Sequence, residues 1–190
     1  IFHDWKMKNN NGILKKINSM DYSEISTIAK KTNFHIPLLN EVLDILPENR
    51  FINIEIKSFN LFSSKIEEKI VERILSYNIL KNVVISSFNP FSLRRIKKMN
   101  PKIISAYLWT NGSPPFLFNT PLWIWICHPD GFYIDISHAD KKIIHWAQRK
   151  KMTIITYTIN NSRDYCRAIE MKLDGIITDN PYLMTNNVSK

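Results

Sequence analysis

Glu55 and Lys57 lie two residues apart in the stretch FINIEIKSF, with Ile52, Ile54 and Ile56 alternating between and around them. This is the period of a strand with one apolar side and one carrying an acid and a base. A carboxylate so placed suits a hard divalent cation, and a lysine suits a phosphate oxygen. The same pair also reads as an ion pair on an exposed edge strand, and the strand alone does not choose. His3, next to Asp4 at what reads as a strand end, has the residue type for proton transfer near neutral pH, although a lone histidine is more often structural. His35, His128, His138 and His145 fall before a helix, in a loop, or in or beside a helix, and carry no such argument. Ser86 and Ser87, closing NVVISSF, could donate to an anion or simply end a strand. No G-x-S-x-G is present, which speaks against a serine hydrolase.

These residues need elements to hold them. After a polar opening to about Lys16, MDYSEISTIAKK reads as a short helix with Asp21 and Glu24 spaced as a capping box. HIPLLNEVLDILP places Pro37 at a first helical position, with Leu38, Val42 and Ile45 on one face and Pro47 closing it. Helix and strand then alternate. SSKIEEKIVERILSYN carries Ile66, Ile70 and Ile74 on a stripe, and NVVISSF follows as a strand. NPFSLRRIKKMN, started by Asn89 before Pro90, leads to IISAYLW; SHADKKIIHWAQRKK, capped by Ser137, lies between GFYIDI and MTIITYTIN; and NSRDYCRAIEMK precedes DGIITD. Strand ends fall at Lys57, Ser87, Leu108, Ile136, Ile159 and Thr178, the spacing of βα units.

Such alternation implies a parallel sheet, open or closed. Polar residues recur at strand C-termini (Glu55, Lys57, Ser86, Ser87, Asp135, Thr158, Asn160, Thr178, Asp179), where barrel enzymes keep their sites, and none of the four glycines makes a dinucleotide or P-loop turn. Thr178, Asp179 and Pro181 suit turn chemistry better than catalysis. The expectation is an α/β fold of the TIM (β/α)8 type lacking roughly its first two strands, because Ile1 and Phe2 read as the tail of a strand already under way. Residues 1–190 read as one domain, with 5–50 a helical insertion and lead-in and 51–182 six βα units.

The composition, 44% hydrophobic with 12% aromatic residues over 190 residues, excludes a disordered chain. Lys and Arg outnumber Asp and Glu by 26 to 17, a net +9 that suits nucleic acid, anionic lipid or a phosphorylated small molecule. The scattered lysines fit plain solvation as well. No helix-turn-helix, zinc finger or stacking motif accompanies the charge, so no nucleic-acid partner is expected, and no motif supports contact with a membrane surface. Cys127 and Cys166, far apart in apolar company, read as buried free thiols.

Taken together, HDW, IPLLNEVL, INIEIK, VISSF, TYTIN and DGIITDNP resemble, in order and spacing, the glycerophosphodiester phosphodiesterase family over nearly the whole chain. The resemblance implies a TIM barrel that hydrolyses glycerophosphodiesters to an alcohol and glycerol 3-phosphate with a divalent metal, Ca²⁺ or Mg²⁺. It makes His3 one of two catalytic histidines, Glu55 a metal ligand, Lys57 a phosphate contact, and Tyr157, where the family often has Trp, a wall of the substrate pocket. The family's His-Arg-Gly, Glu-Asn-Thr and Glu-x-Asp motifs are absent, and WKMKNNNG replaces the usual Leu-x-Arg-Thr-Thr. The chain is therefore expected to be a fragment that is inactive by itself; the alternative is a degenerate barrel acting as a binding or scaffold protein.

Overall fold

A computed structural model describes residues 1–9, 11–47, 49–62, 65–111 and 123–182. The chain forms two compact units, Ile1–Arg50 and Phe51–Lys190.

In the first unit the polar opening is not featureless. Strands β1 (Lys6–Lys8) and β2 (Leu14–Lys16) pair antiparallel. Their turn rests on Asn9, whose side chain accepts from the amides of Asn11 (3.0 Å) and Ile13 (2.9 Å), and on Gly12 at φ +75°. This is turn chemistry that apolar periodicity cannot register. A 3₁₀ turn (Ile17–Ser19) leads to α1 (Tyr22–Lys31), whose Ile25 and Ala29 pack with Ile36, Met7, Ile17 and Met20. The expected capping box is not made: Asp21 forms no side-chain cap, and Glu24 takes Lys15 at 3.2 Å instead. Helix α2 (Leu39–Asp44) starts two residues later than expected, with Glu41 accepting from the Leu38 amide at 2.6 Å. Its buried residue is Leu43, while Leu38 and Ile45 are exposed. Six residues make too short a helix for the Leu38–Val42–Ile45 stripe to form a packing face.

The second unit contains β3 (Ile52–Glu55), α3 (Lys65–Ser76), β4 (Val83–Ser87), α4 (Pro90–Met99), β5 (Ile104–Trp109), α5 (Ile124–Cys127), β6 (Gly131–Asp135), α6 (Lys141–Arg149), β7 (Thr153–Tyr157), α7 (Ser162–Glu170) and β8 (Gly175–Ile176). The six strands pair in sequence order, every neighbour parallel. Doubly wound sheets reverse their order at a switch point; this one never does, which is the progression of a (β/α) barrel wall. Strands end within two residues of expectation, at Glu55, Ser87, Trp109, Asp135, Tyr157 and Ile176. The pairing runs on a little, as Ile56 N donates to Ser86 O (2.8 Å) and Ile159 N to Ile177 O (2.9 Å).

Alternation divides each strand between two environments. Phe132 on β6 contacts Tyr107 and Trp109 of β5 and reaches Trp146 of α6 at 5.7 Å, so this face meets the helix layer. Ala106, Leu108 and Tyr133 take the opposite, inner face with Val84, Phe88, Ile155 and Tyr157. Asn89 starts α4 as expected, accepting from the Phe91 amide at 3.0 Å. Three other expectations need correction. Asp140, not Ser137, caps α6, accepting from Lys142 and Ile143, because Ser137 belongs to a 3₁₀ turn that separates β6 from the helix. The buried stripe of α3 is Glu67–Ile70–Val71–Ile74, with Ile66 turned out. Cys127 is buried, but Cys166 is exposed, on a helix whose buried residue is Ala168. No helix among the described residues is long and apolar enough to cross a membrane.

Candidate active site at the strand C-termini

The polar residues of the strand ends gather where the inner face opens. On β3, Ile52 and Ile54 are half-buried and Ile56 is fully buried, while Asn53 and Glu55 take the other side, paired in register with Val84 and Ser86. Lys57 continues that side. Its Nζ lies 3.9 Å from Glu55 Oε1, with the two side chains 22% and 29% exposed. A pair this long and this wet is worth about 0–1 kcal/mol, so it does not explain by itself why the two charges are there.

The two serines of VISSF separate into different roles. Ser87 points to the helix side, where its hydroxyl donates to Ile56 O at 2.7 Å and accepts from Asn89 N at 3.0 Å. Ser86 is on Glu55's side; its Oγ is buried and has no partner among the described residues. Buried hydroxyls are ordinarily paired, so an unpaired one opposite Glu55 in the strand register keeps its hydrogen-bonding capacity unused.

The β3–α3 loop that carries Lys57 is held from β4 and α4. Asn89 Nδ2 donates to Ser58 O (2.9 Å) and Asn60 O (3.1 Å), and Arg95 donates to Leu61 O (2.8 Å) and Asn60 O (3.0 Å). Arg95 is in turn held by the fully buried Glu67, through Nη2 at 2.6 Å and Nε at 3.2 Å, and Ser92 donates to the same carboxylate oxygen. A buried acid inside an amphipathic stripe is invisible to hydrophobic periodicity, and Arg95 reads as one more surface cation in LRRIKK.

Tyr157 closes β7 on the inner face. Its hydroxyl donates to Trp109 O at 3.0 Å, and its ring meets Phe88 edge-on at 6.2 Å. Burial, then the negative charges of Asp135 and Glu55, then Tyr107, push its ionisation upward, so it stays a neutral phenol. Asp135 ends β6 opposite Tyr157. Its Oδ1 accepts from Ser137 N (2.9 Å) and Oγ (2.6 Å), and its Oδ2 from Thr110 (3.2 Å). His138 Nδ1 lies 3.2 Å from Thr110 Oγ1 and 3.0 Å from Ser137 Oγ. Thr110, Ser137 and His138 had no site argument in the sequence; the signal was Asp135 two residues before Ser137, the spacing of an Asx turn. Beyond β7 and β8, Asn160 binds Asp179 (2.8 Å) and accepts from its amide (3.0 Å), while Thr178 accepts from Asn180 N. These residues do turn chemistry.

His3 lies in the first unit, its side chain 85% exposed and its Nδ1 2.9 Å from Asp4 Oδ1. Among the described residues no three His, Cys, Asp or Glu side chains come together as a metal site. Glu55 is one carboxylate with a lysine beside it, whereas Ca²⁺ or Mg²⁺ takes six or more oxygens. The donor set described here does not amount to a cage for such an ion.

The comparisons agree with this architecture. The profile of the glycerophosphoryl diester phosphodiesterase family matches residues 1–183. A glycerophosphodiester phosphodiesterase of Caldanaerobacter subterraneus subsp. tengcongensis is 33% identical over 179 residues, covering 93% of this chain and 71% of that protein. One from Bacillus altitudinis is 26% identical over 192 residues, covering 95% of this chain and 77% of its own length. Among solved structures, a glycerophosphodiester phosphodiesterase of Thermotoga maritima superposes with a TM-score of 0.71 at 23% identity, covering 97% of this chain and 77% of that one. An Oleispira antarctica phosphodiesterase in complex with the product sn-glycerol-3-phosphate superposes at 0.74 with 18% identity, covering 100% and 78%. At these identities the structures speak for the fold, a TIM-type barrel. The profile and the Caldanaerobacter relative speak for the lineage: the chain belongs to the glycerophosphoryl diester phosphodiesterase family.

Proposed function

We propose that this chain carries the phosphate-recognising rim of a glycerophosphodiester phosphodiesterase, an enzyme that cleaves a glycerophosphodiester with water to give an alcohol and glycerol 3-phosphate. The observation that carries the reading is that Glu55 has Lys57 Nζ 3.9 Å from its carboxylate and, opposite it in the strand register, Ser86 with its unpaired buried hydroxyl. Lys57 supplies positive charge where negative charge concentrates on phosphorus, Ser86 donates one hydrogen bond to a phosphoryl oxygen, and Tyr157 walls the pocket as a neutral phenol. His3 is the proton-transfer residue: the P–O bond to the alcohol breaks, water supplies the new oxygen, and a proton moves to the departing alkoxide. Membership of the family supports these roles.

We also infer a requirement for a divalent cation, Ca²⁺ or Mg²⁺, with Glu55 as one ligand. We infer further that the 190-residue chain by itself is inactive, a reading supported by the described residues not completing a cage. Residues 1–190 are read as one barrel domain, with 5–50 as insertion and lead-in and 51–182 as six βα units; a profile match running from 1 to 183 supports this. The test is hydrolysis of glycerophosphocholine by the purified chain in Ca²⁺, Mg²⁺ and EDTA. No turnover in any arm is expected. Metal-dependent turnover that disappears in His3→Ala would show that the residues present suffice, and the claim of inactivity would fall.

A further inference from the structure

Away from the rim, a second feature concentrates charge and aromatic surface. Between α4 and α5 lies a recess of about 300 Å³ lined by Arg94, Lys97, Lys98, Trp125, Cys127 and His128. Arg94 and Lys98, one helical turn apart, are exposed together, and Trp125 is 58% exposed. Lys150, just after α6, holds its ammonium 4.1 Å from the centre of that ring. Lys97 is balanced by Asp130 at 2.6 Å, which leaves Arg94, Lys98 and Lys150 as the cations facing outward around the indole.

The connectivity fixes which end of the sheet this is. The C-terminus of α4 leads into β5, Asp130 precedes β6 and accepts from the Ser105 amide at 2.8 Å, and Lys150 precedes β7. All three lie at the N-terminal ends of the strands, opposite the rim that holds Glu55, Lys57 and Tyr157.

We propose that this surface docks the protein peripherally on an anionic lipid bilayer, with lipid phosphates among Arg94, Lys98 and Lys150 and the Trp125 indole at the headgroup level. Lysine and arginine flanking an exposed tryptophan is the composition of membrane–water interfaces, where the ring is wetted on one side and apolar on the other. Nucleic acid is the less favoured occupant: Lys150 already covers the ring that a base would need for stacking. Docking through this end leaves the opposite rim facing water, open to a soluble phosphodiester.

The test is co-sedimentation of the whole chain with phosphatidylglycerol–phosphatidylcholine vesicles and with pure phosphatidylcholine, at moderate salt. Binding to the anionic vesicles alone is expected, with a blue shift of tryptophan emission that is lost in Trp125→Phe. Each cation removed should weaken binding about fivefold, so the Arg94→Ser/Lys98→Ser double variant should lose roughly 25-fold. The control is Lys30→Ser/Lys31→Ser on α1, which removes the same charge elsewhere and should leave binding nearly unchanged. Equal loss in both doubles would reduce the effect to net charge and overturn the proposal. So would equal binding to neutral vesicles, or binding to a polynucleotide but not to vesicles that is lost in Arg94→Ser/Lys98→Ser.

Discussion

Replacing Arg95 by Met should destabilise the second unit far more than the loss of a surface cation does. Arg95 is 15% exposed at its side chain, and Glu67 is fully buried. The change takes two donors from the Glu67 carboxylate, leaving it Ser92 on one oxygen and no described partner on the other. It also strips the carbonyls of Asn60 and Leu61 of their guanidinium donors. Breaking a buried pair from one side costs about 3–5 kcal/mol, because the remaining charge stays buried without compensation. With a urea m-value of about 2 kcal/mol/M, the midpoint should fall by roughly 1.5–2.5 M. Replacing both partners, Glu67→Leu with Arg95→Met, should recover much of that loss, since no charge is then left buried. The assay is urea unfolding followed by circular dichroism on both variants. A loss under about 1 kcal/mol for Arg95→Met, the scale of an exposed ion pair, would refute the reasoning.

Three further outcomes follow from individual sites. Burial pushes the Cys127 thiol from its ordinary 9.0 up to about 12, and raises Tyr107, Tyr133 and Tyr157 above their ordinary 10.0. Raised folded values mean that the stability is present below the unfolded values and lost above them, by up to about 1.4 kcal/mol per pH unit for each group. The urea midpoint should hold to about pH 9 and fall steeply beyond about pH 10; a flat profile through that range would show that these groups are wet. Gly131→Ala would set a Cβ 3.2 Å from Tyr133 Cε1 and 3.3 Å from both Ala106 Cβ and Thr153 O. Since Thr153 O is backbone, about 1–3 kcal/mol of stability should be lost, measurable as a lowered Tm. Glu55→Gln removes a charge from a weak, part-exposed pair, so its Tm should stay put while any Mn²⁺-induced relaxation of nearby resonances disappears; a large drop in Tm would make Glu55 a structural residue.

The repeating helix and strand periods, with Asn89 before Pro90, were enough to expect a parallel sheet, and the polar residues at the strand ends with no nucleotide-binding glycine turn favoured a barrel wall over an open sheet. The strand FINIEIKSF was legible for the same reason: its isoleucines and its charges take opposite sides. What escaped the sequence is what depends on partners distant along the chain. Ser86 and Ser87 are neighbours of one type, and only the register on β3 turns one toward Glu55 and ties the other to Ile56. Glu67 is one of several charges in KIEEK, and its burial depends on Arg95, 28 residues on. The Asn9–Gly12 hairpin rests on side-chain-to-backbone bonds, which carry no hydrophobic period.

The central claim is that Lys57 and Ser86 form a phosphate-recognising rim. Titration of the 190-residue chain with sn-glycerol 3-phosphate, followed through backbone amide resonances, tests it most directly. The account predicts saturable shifts confined to the C-terminal ends of β3, β4 and β7, lost in Lys57→Ala and weakened in Ser86→Ala, in a protein that stays folded. Shifts absent at saturating ligand, or unchanged in Lys57→Ala, would contradict it and leave a barrel wall without a working phosphate site.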